Sequence, residues 1–464
     1  MRTHSSSIHR LLAPTATGIF AGLLAISAST QAVSAREDDD VGGYISSQCC
    51  SDLEERIAEL EQTTARKGNR KVDIEINGTI NNAILFWDDQ HERNAYVVNN
   101  DIDGNSFAID GEVELEDRFE GWTVGFTLEL DLLNAGSRDV DQLNDDGQTL
   151  VDLGEASIFI ENERLGTMTL GFTSARGKTD GANESDLSGT YVASNVAVSD
   201  IGGSFFLRRS GAAAGTSLLA LTWGDLIDPL DAPTGNIISY ETPNFGGFSF
   251  STYYGEDDIW NVGVGFNRDI TNFTVQAGVG YSVNRDRGEQ DLVDYEQVIG
   301  SLAVLHKPTG INFAIASGLR SFTETTRLND GTLATPVDVS FLYMKAGLIR
   351  RLNALGNTAF YAEYGQFRDF QANAADTVTV AGLGGINEGN LCGGADVACL
   401  ADGSDAEVWG VGLVQYVDAA EAQLYIGFRH HSADIDLVDR SGTRVPTVPL
   451  ESFDTFIAGM MIEF

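Results

Sequence analysis

The sequence has few of the residues on which several classes of protein depend. It contains 4 cysteines in 464 residues, which are too few for a scaffold built on disulfides. Basic residues are also scarce, because 29 Lys and Arg stand against 68 Asp and Glu and give a formal net charge of −39. Nucleic acid is therefore excluded as a partner, since phosphate backbones are bound by basic surfaces.

Long hydrophobic runs are missing beyond the N-terminus. Residues 1–35 have the pattern of a signal peptide, with a basic start, an apolar stretch and small residues before an acidic segment at 36–50. Cleavage after Ala35 or after Ala32 fits this pattern, and either site leaves a formal charge of about −41. No later run reaches the roughly 20 apolar residues of a membrane helix. Any membrane residence must therefore use a closed barrel of strands.

Residues 51–66 have a helical pattern. Leu53, Ile57 and Leu60 are spaced four and three apart, as in the seam of a coiled coil. A single helix of this length is marginal in water, so we expect partner helices and an oligomer. A surface helix lying on the end of the barrel is the alternative.

The four cysteines form two distant pairs in the sequence. Cys392 and Cys399 are candidates for a local disulfide, whereas the adjacent Cys49 and Cys50 are placed for cross-links between protomers. A zinc site is a weaker alternative, because the region between the pairs supplies no ligand spacing.

Period-two alternation begins near residue 70 and continues to residue 464. Apolar residues such as Trp122, Val124 and Phe126 alternate with small or polar ones, as in strands with lipid on one side and water on the other. A soluble β-sandwich also alternates, but the length of the array and the export signal favour a membrane barrel. Aromatic residues near strand ends suit the interfacial girdles of such a barrel: Trp87, Trp122, Tyr254, Trp260, Tyr364 and Trp409.

About sixteen strands are predicted in residues 70–464. Short connections alternate with long ones rich in Asp, Gly and Asn, as expected when one end of the barrel carries turns and the other carries loops. The strands are expected to start near residues 72, 106, 121, 150, 164, 235, 246, 258, 271, 294, 310, 338, 357, 405, 421 and 451.

Four stretches carry a resemblance to known proteins. The last strand ends on Phe464 and resembles the C-terminal assembly signal of outer-membrane proteins. The stretches at 52–72 (DLEERIAELE with ARKGNRKV), 177–190 (GKTDGANESDLSGT) and 221–226 (LTWGDL) resemble the general porins of alphaproteobacteria. The resemblance covers nearly the whole mature chain. It implies an all-β barrel of sixteen strands in the outer membrane, usually trimeric, with a third external loop folded into the lumen.

The resemblance also implies a function: a water-filled channel through which ions and small hydrophilic solutes diffuse. The inward-folded loop is then expected at about 173–200, since the long segment between 173 and 235 is unusual for a plain connection. Asp180, Glu184 and Asp186 would lie at the constriction, with Arg176 and Lys178 near its entry. An external loop with solvated acids is the alternative.

Charges that face the lumen follow from the alternation, because a charge on the lipid face costs about 2 to 4 kcal/mol near the midplane. Early strands carry acidic candidates and later strands carry basic ones, so we expect facing walls of opposite sign and, from the large acidic excess, a preference for cations. The pore-wall candidates are Asp110, Glu112, Glu114, Glu129, Asp131, Glu155, Arg320, Lys345, Glu363 and Arg429.

Sites for cofactors or catalysis are weakly supported. Residues 99–110 partly match a calcium loop, with Asn99, Asp101, Asp103, Gly104 and Asp110 in ligand positions, but Asp110 replaces the usual glutamate and belongs to a predicted strand. The histidines fit no nucleophile, zinc or triad motif, so an enzyme is not expected.

Two rival functions remain beside the general channel. A channel selective for one solute differs only in how strongly its lumen residues bind. A structural barrel would use the helix at 51–66 to tether the outer membrane to the cell wall. The expected partners are copies of the same chain, outer-membrane lipid and lipopolysaccharide, small solutes and ions, and peptidoglycan.

Overall fold

The computed structural model describes most of the predicted barrel. The chain divides into two units, Met1–Asn69 and Arg70–Phe464, and every described residue belongs to the second. The predicted signal peptide, the helix at 51–66 and the pair Cys392 and Cys399 lie outside the residues whose side chains are described. The structure describes residues 72–115, 121–146, 150–174, 185–208, 210, 218–219, 221–231, 234–255, 259–285, 294–322, 337–370, 403–436 and 450–464, and the backbone of 326–327, 333–334, 399–402, 437–439 and 448–449.

Sixteen antiparallel strands form one closed sheet, and the predicted barrel is therefore confirmed. Closure is made by pairing of the first and last strands, from Thr79 opposite Glu463 to Asp88 opposite Asp454. The strands are β1 (Asp73–Asp88), β2 (Arg93–Asn99 and Ser106–Glu114), β3 (Trp122–Leu133), β4 (Leu150–Asn162), β5 (Gly166–Ser174), β6 (Thr234–Glu241), β7 (Phe248–Gly255), β8 (Trp260–Ile270), β9 (Phe273–Asn284), β10 (Tyr295–His306), β11 (Ile311–Phe322), β12 (Val339–Arg350), β13 (Thr358–Arg368), β14 (Cys399–Val417), β15 (Ala422–Asp439) and β16 (Phe453–Glu463).

Helical structure in the described residues is confined to short 3-10 turns, at Asp101–Asp103, Tyr191–Ala193, Val198–Asp200 and Gly224–Leu226. No helix among these residues is long and apolar enough to cross a membrane. Thr326–Arg327 pairs with Leu333–Ala334, and Val448–Pro449 pairs with β15.

The second strand differs from the prediction, which placed its start near residue 106. Arg93–Asn99 already pairs with the upper half of β1, and Ser106–Glu114 pairs with its lower half. Between them Asn100 accepts a hydrogen bond from the Ile102 amide and caps a 3-10 turn. Polar residues at this turn resemble a loop in the sequence, which is why the first half of the strand was missed.

The two faces of the sheet have opposite character. On β1, Ile84 and Phe86 are each 44 % exposed on the outer face, whereas Leu85 is fully buried on the inner face. Trp87 also faces inward and packs on Phe205 at 5.4 Å between ring centroids. The expected girdle role of Trp87 is therefore wrong, because the residue lies one position out of phase with the outer face.

A long segment between β5 and β6 packs against the inner wall. We call its described residues between 185 and 231 the lumen segment. Its residues 205–207 pair with 219–223 through Leu207 N to Leu221 O (2.8 Å) and Trp223 N to Phe205 O (2.9 Å). Apolar side chains of the lumen segment and of the inner wall form one hydrophobic cluster. The lumen segment and the inner wall thus share one packed hydrophobic core.

Two glycines lie in turns at the end of the barrel that carries short connections, and replacing each with alanine tests how closely the backbone is packed there. Gly310 and Gly246 share a φ of +69°, but an added Cβ at Gly310 would collide with the Ile349 carbonyl oxygen, whereas nothing lies within 4 Å at Gly246. Both changes to alanine carry the same backbone strain. We expect Gly310→Ala to lower the free energy of unfolding by about 1 to 3 kcal/mol more than Gly246→Ala, measured by urea unfolding in lipid vesicles. Equal losses would show that the backbone at Ile349 moves aside freely.

Candidate functional site

The inner wall of β1 to β4 is acidic. Ten carboxylates lie on the lumen face of these strands, and no lysine or arginine on their described residues faces the lumen, because Arg93 lies on the outer face. We call this set the acidic wall. It consists of Asp73, Glu75, Asp110, Glu112, Glu114, Glu129, Asp131, Asp152, Glu155 and Glu161.

Several members of the acidic wall lie directly opposite each other on neighbouring strands. Glu129 is paired with Glu155, and Asp131 is paired with Asp152. Like charges in such positions destabilise a sheet. The repulsion between them is reduced where water and mobile cations can screen it, as in a hydrated lumen.

Asp110 is held more firmly than its neighbours. Its carboxylate accepts hydrogen bonds from Asn77 Nδ2 and from Thr127 Oγ1, both at 2.7 Å. The Ser157 hydroxyl donates to Glu155 in the same way. Neutral donors orient these two carboxylates without neutralising their charge.

Six of the predicted pore-wall acids lie in the acidic wall: Asp110, Glu112, Glu114, Glu129, Asp131 and Glu155. Four further members were missed. The alternation that nominated Asp110 also indicates Asp73, Glu75 and Glu161. Asp152 carries no such signal, because an irregularity near Glu155 shifts the register of β4 by one residue and turns Asp152 inward.

The wall of β5 to β9 is mainly small and neutral, with Thr169, Ser239, Ser251, Asn261 and Ser282 among its inward residues. Glu241 and Asp269 lie near the strand ends at the turn side. This sector adds polar groups and little bulk to the lumen.

The wall of β12 to β15 carries charges that are buried beneath the lumen segment. Arg429 Nε lies 2.8 Å from Glu363 Oε1, and the two side chains are 2 % and 0 % exposed. Glu363 also accepts hydrogen bonds from Tyr343 and from Ser194 of the lumen segment, both at 2.7 Å. Every polar atom of this carboxylate is therefore committed inside the protein.

Lys345 is buried in the same region. Its Nζ lies 2.6 Å from Asp186 Oδ2 and 2.7 Å from the Ser194 carbonyl oxygen. Asp186 was expected at the constriction, but its carboxylate is used by this ion pair. Arg176, Lys178, Asp180 and Glu184 lie outside the described residues, so their placement at the constriction stays a prediction.

Lys345 and Arg429 were expected to form a basic wall facing the acids, but neither side chain is exposed to the lumen. Each is covered by the lumen segment and paired with a carboxylate. Arg320 is partly exposed, but it lies 3.7 Å from Asp228 and stacks over Tyr295 at 4.2 Å. Among the described residues, the negative charge of the acidic wall is therefore not matched by an equally exposed basic wall. Sequence spacing does not reveal this, because the pairing partners Asp186 and Asp228 are on the lumen segment.

A buried ion pair joins the lumen segment to the loop end of the barrel. Arg208 Nε lies 2.9 Å from Asp89 Oδ2, and both side chains are less than a tenth exposed. Burial raises the pKa of Asp89, but hydrogen bonds from the Glu92 amide and from Arg208 outweigh it and leave the pKa below its ordinary value. The pair therefore stabilises at neutral pH and is lost only as the pH falls through this lowered value.

The calcium-loop candidates make internal contacts instead. Asn99 Oδ1 accepts from the Asn105 amide, and Asp101 Oδ2 accepts from the Arg138 amide at 2.7 Å. Asp110 lies in β2 and binds Asn77 and Thr127. Across the described ranges, no group of three or more His, Cys, Asp or Glu is arranged to hold a metal ion.

Comparisons with known proteins give distant structural matches. No family model and no curated protein matches the sequence. The anion-selective porin from Comamonas acidovorans is 12 % identical with a TM-score of 0.48, and 85 % of this chain aligns with 100 % of that one. OmpT of Vibrio cholerae is 12 % identical with a TM-score of 0.48, and 86 % of this chain aligns with 99 % of that one. Salmonella typhi OmpF in complex with daunomycin is 12 % identical with a TM-score of 0.44, and 85 % of this chain aligns with 98 % of that one.

The ion pair of Glu363 and Arg429 allows a test of how the lumen segment is held. Glu363→Gln leaves the Arg429 cation buried without a counter-charge, and we expect a loss of about 3 to 5 kcal/mol in the free energy of unfolding. The matched control is Asp405→Asn, which removes the partner of Arg368 in an exposed pair at 3.6 Å and is expected to cost at most about 1 kcal/mol. Urea unfolding in vesicles measures both. A loss in Glu363→Gln no larger than in the control would mean that water reaches Arg429.

Proposed function

We propose that this chain is an outer-membrane porin, a water-filled channel for passive diffusion of ions and small hydrophilic solutes. A closed barrel with an apolar outer face satisfies its backbone hydrogen bonds in lipid. The lumen is lined on one side by solvated polar and acidic groups, as a hydrated path requires. This function needs no chemical step. The likeness of 52–72, 177–190 and 221–226 to alphaproteobacterial general porins supports the same proposal.

A preference for cations is the second part of the proposal, and the acidic wall is the observation that carries it. Ten inward carboxylates raise the local concentration of cations where the low-dielectric wall focuses the field. Lys345 and Arg429, which would oppose them, are buried in ion pairs. The net charge of −39 acts in the same direction.

The preference is tested by neutralising three members of the acidic wall. We expect the wild-type channel to be cation-selective at low salt, and Glu129→Gln, Asp131→Asn and Glu155→Gln together to move the reversal potential in a salt gradient toward anions. The bias of the wild type should shrink in molar salt, where the screening length falls to about 3 Å.

A control with the same change in net charge separates the lumen from the general field. Glu163, Glu407 and Glu421 lie in turns or on the outer face, and their joint replacement by Gln is expected to leave the reversal potential nearly unchanged. An anion-selective wild type, or equal shifts in both triple variants, would overturn the role of the acidic wall. Adding Asp180→Asn and Glu184→Gln to the first variant tests whether the predicted constriction contributes further.

A channel selective for one solute is the second candidate. The lumen segment fills part of the barrel with packed side chains, and a narrowed path favours contact between solute and wall. Saturable block of conductance by one sugar or one ion would favour this candidate over general diffusion.

We also propose that the chain assembles as a homo-trimer in contact with outer-membrane lipid, lipopolysaccharide and peptidoglycan. The support is the apolar seam of Leu53, Ile57 and Leu60, outside the described residues. Leu60→Asp is expected to weaken association while the barrel stays folded, because strand closure is independent of the helix. Native mass measurement in mild detergent checks this, with Glu61→Gln as control. A wild type that is only monomeric would contradict the trimer, and unchanged envelope attachment after deletion of 51–66 would contradict the cell-wall contact.

A further inference from the structure

A histidine is buried where the lumen segment meets the wall. His431 lies on the inner face of β15 and is 0 % exposed. Its ring stacks on Phe453 of β16 at 4.2 Å with parallel planes, and Trp223 of the lumen segment meets it edge-on at 5.0 Å. Trp223 in turn packs on Phe453 at 5.7 Å. The histidine is thus part of the apolar surface on which the lumen segment rests.

The hydrogen bonds of His431 fit the neutral ring. Nδ1 lies 3.3 Å from the Phe453 carbonyl oxygen, which accepts only, so Nδ1 carries the hydrogen. Nε2 is buried and has no hydrogen-bond partner among the described residues. In the neutral ring this nitrogen is an unprotonated acceptor. Protonation would turn it into a charged donor with nothing to receive its hydrogen.

The charges around His431 also oppose protonation. Arg429 precedes it by two residues on the same inner face, so a protonated His431 would lie near a like charge. Glu363, the carboxylate in contact with Arg429, is already committed to that cation. Phe453 of β16 and Trp223 of the lumen segment pack on the ring, and Val408 is its cross-strand neighbour on β14. None of these three residues is ionisable near neutral pH.

We propose that His431 makes an acid-sensitive contact between the lumen segment and the wall. Its protonation releases the lumen segment from the wall and widens the path through the barrel. Attraction of the imidazolium to the two aromatic rings is available in the docked state. It does not replace a hydrogen-bond acceptor at Nε2, and Arg429 stays close. Water supplies both the acceptor and the solvation once Trp223 moves away. Acid therefore favours the undocked segment.

His430 supplies a contrast on the same strand. It faces outward, is partly exposed and lies 2.6 Å from Asp454. Asp454 lies on β16, so this contact does not involve the lumen segment. A change at His430 therefore leaves the contacts of Trp223 with the wall in place.

Hydrogen exchange of the full protein in detergent tests the release. After correction for the pH dependence of intrinsic exchange, opening of peptides within 218–231 should increase about tenfold for each pH unit below about 6.5, because undocking takes up one proton. The measurement runs from about pH 7.5 to about pH 5.5, and the comparison with His431→Phe separates the histidine from carboxylates that titrate in the same range. His431→Phe should abolish the increase, since phenylalanine keeps the aromatic packing and cannot be protonated.

A second variant guards against misfolding of the first. With His91, His306 and His430 all changed to Gln, His431 is the remaining histidine of the described residues, and the increase should persist. A flat response in the wild type, an equal increase in His431→Phe, or loss of the increase in the triple variant would overturn the proposal.

The effect on the path rests on the proposed channel function, whereas the release does not. In planar bilayers the wild type should conduct more at about pH 5.5 than at about pH 7.5, and His431→Phe should not change. Unaltered conductance alongside acid-induced exchange would overturn the widening. A protein that shows acid-induced exchange but never conducts would refute the channel and leave the release intact.

Discussion

Closure of β1 onto β16 is the constraint on which the rest of the structure depends. In lipid an unpaired strand edge has no water to satisfy it, so the sheet must close. Sixteen strands enclose more space than their inward side chains can fill. That space must hold either water or further polypeptide. The lumen segment fills part of this space by packing on β10 to β16 and on Trp87 of β1, whereas the carboxylates of the acidic wall are left uncovered.

The two sides of the lumen differ in how their charged side chains are arranged. Under the lumen segment Arg429 and Lys345 are paired at 2.8 and 2.6 Å with Glu363 and Asp186, since a buried charge without a partner is too costly to keep. On the acidic wall Glu129 lies opposite Glu155, and no lysine or arginine on the described residues of β1 to β4 faces the lumen, so water must screen the repulsion. The proposed path for solutes therefore has the charge of the side that is left uncovered.

The barrel architecture can be predicted from the sequence because the alternation of apolar and polar residues involves only neighbours along the chain. Strand starts such as 150 for β4 agree with the observed bounds, whereas the upper half of β2 and the inward turn of Trp87 do not follow the local pattern. The charged residues that line the lumen are harder to predict. Inward acids such as Glu129 follow from periodicity, but the bulge that turns Asp152 inward and the burial of Lys345 under Asp186 depend on contacts between residues far apart in sequence.

The lumen segment links the bore of the barrel to the sign of its field. Its contacts cover Arg429 and Lys345, the buried cations of the inner wall. Displacement of the segment would widen the path and uncover those cations in the same step. Under the proposed release, a docked segment gives a narrow, acidic lumen, and an undocked one gives a wider lumen with charges of both signs. Selectivity and bore are two consequences of one packing interface, centred on Trp223, His431 and Phe453.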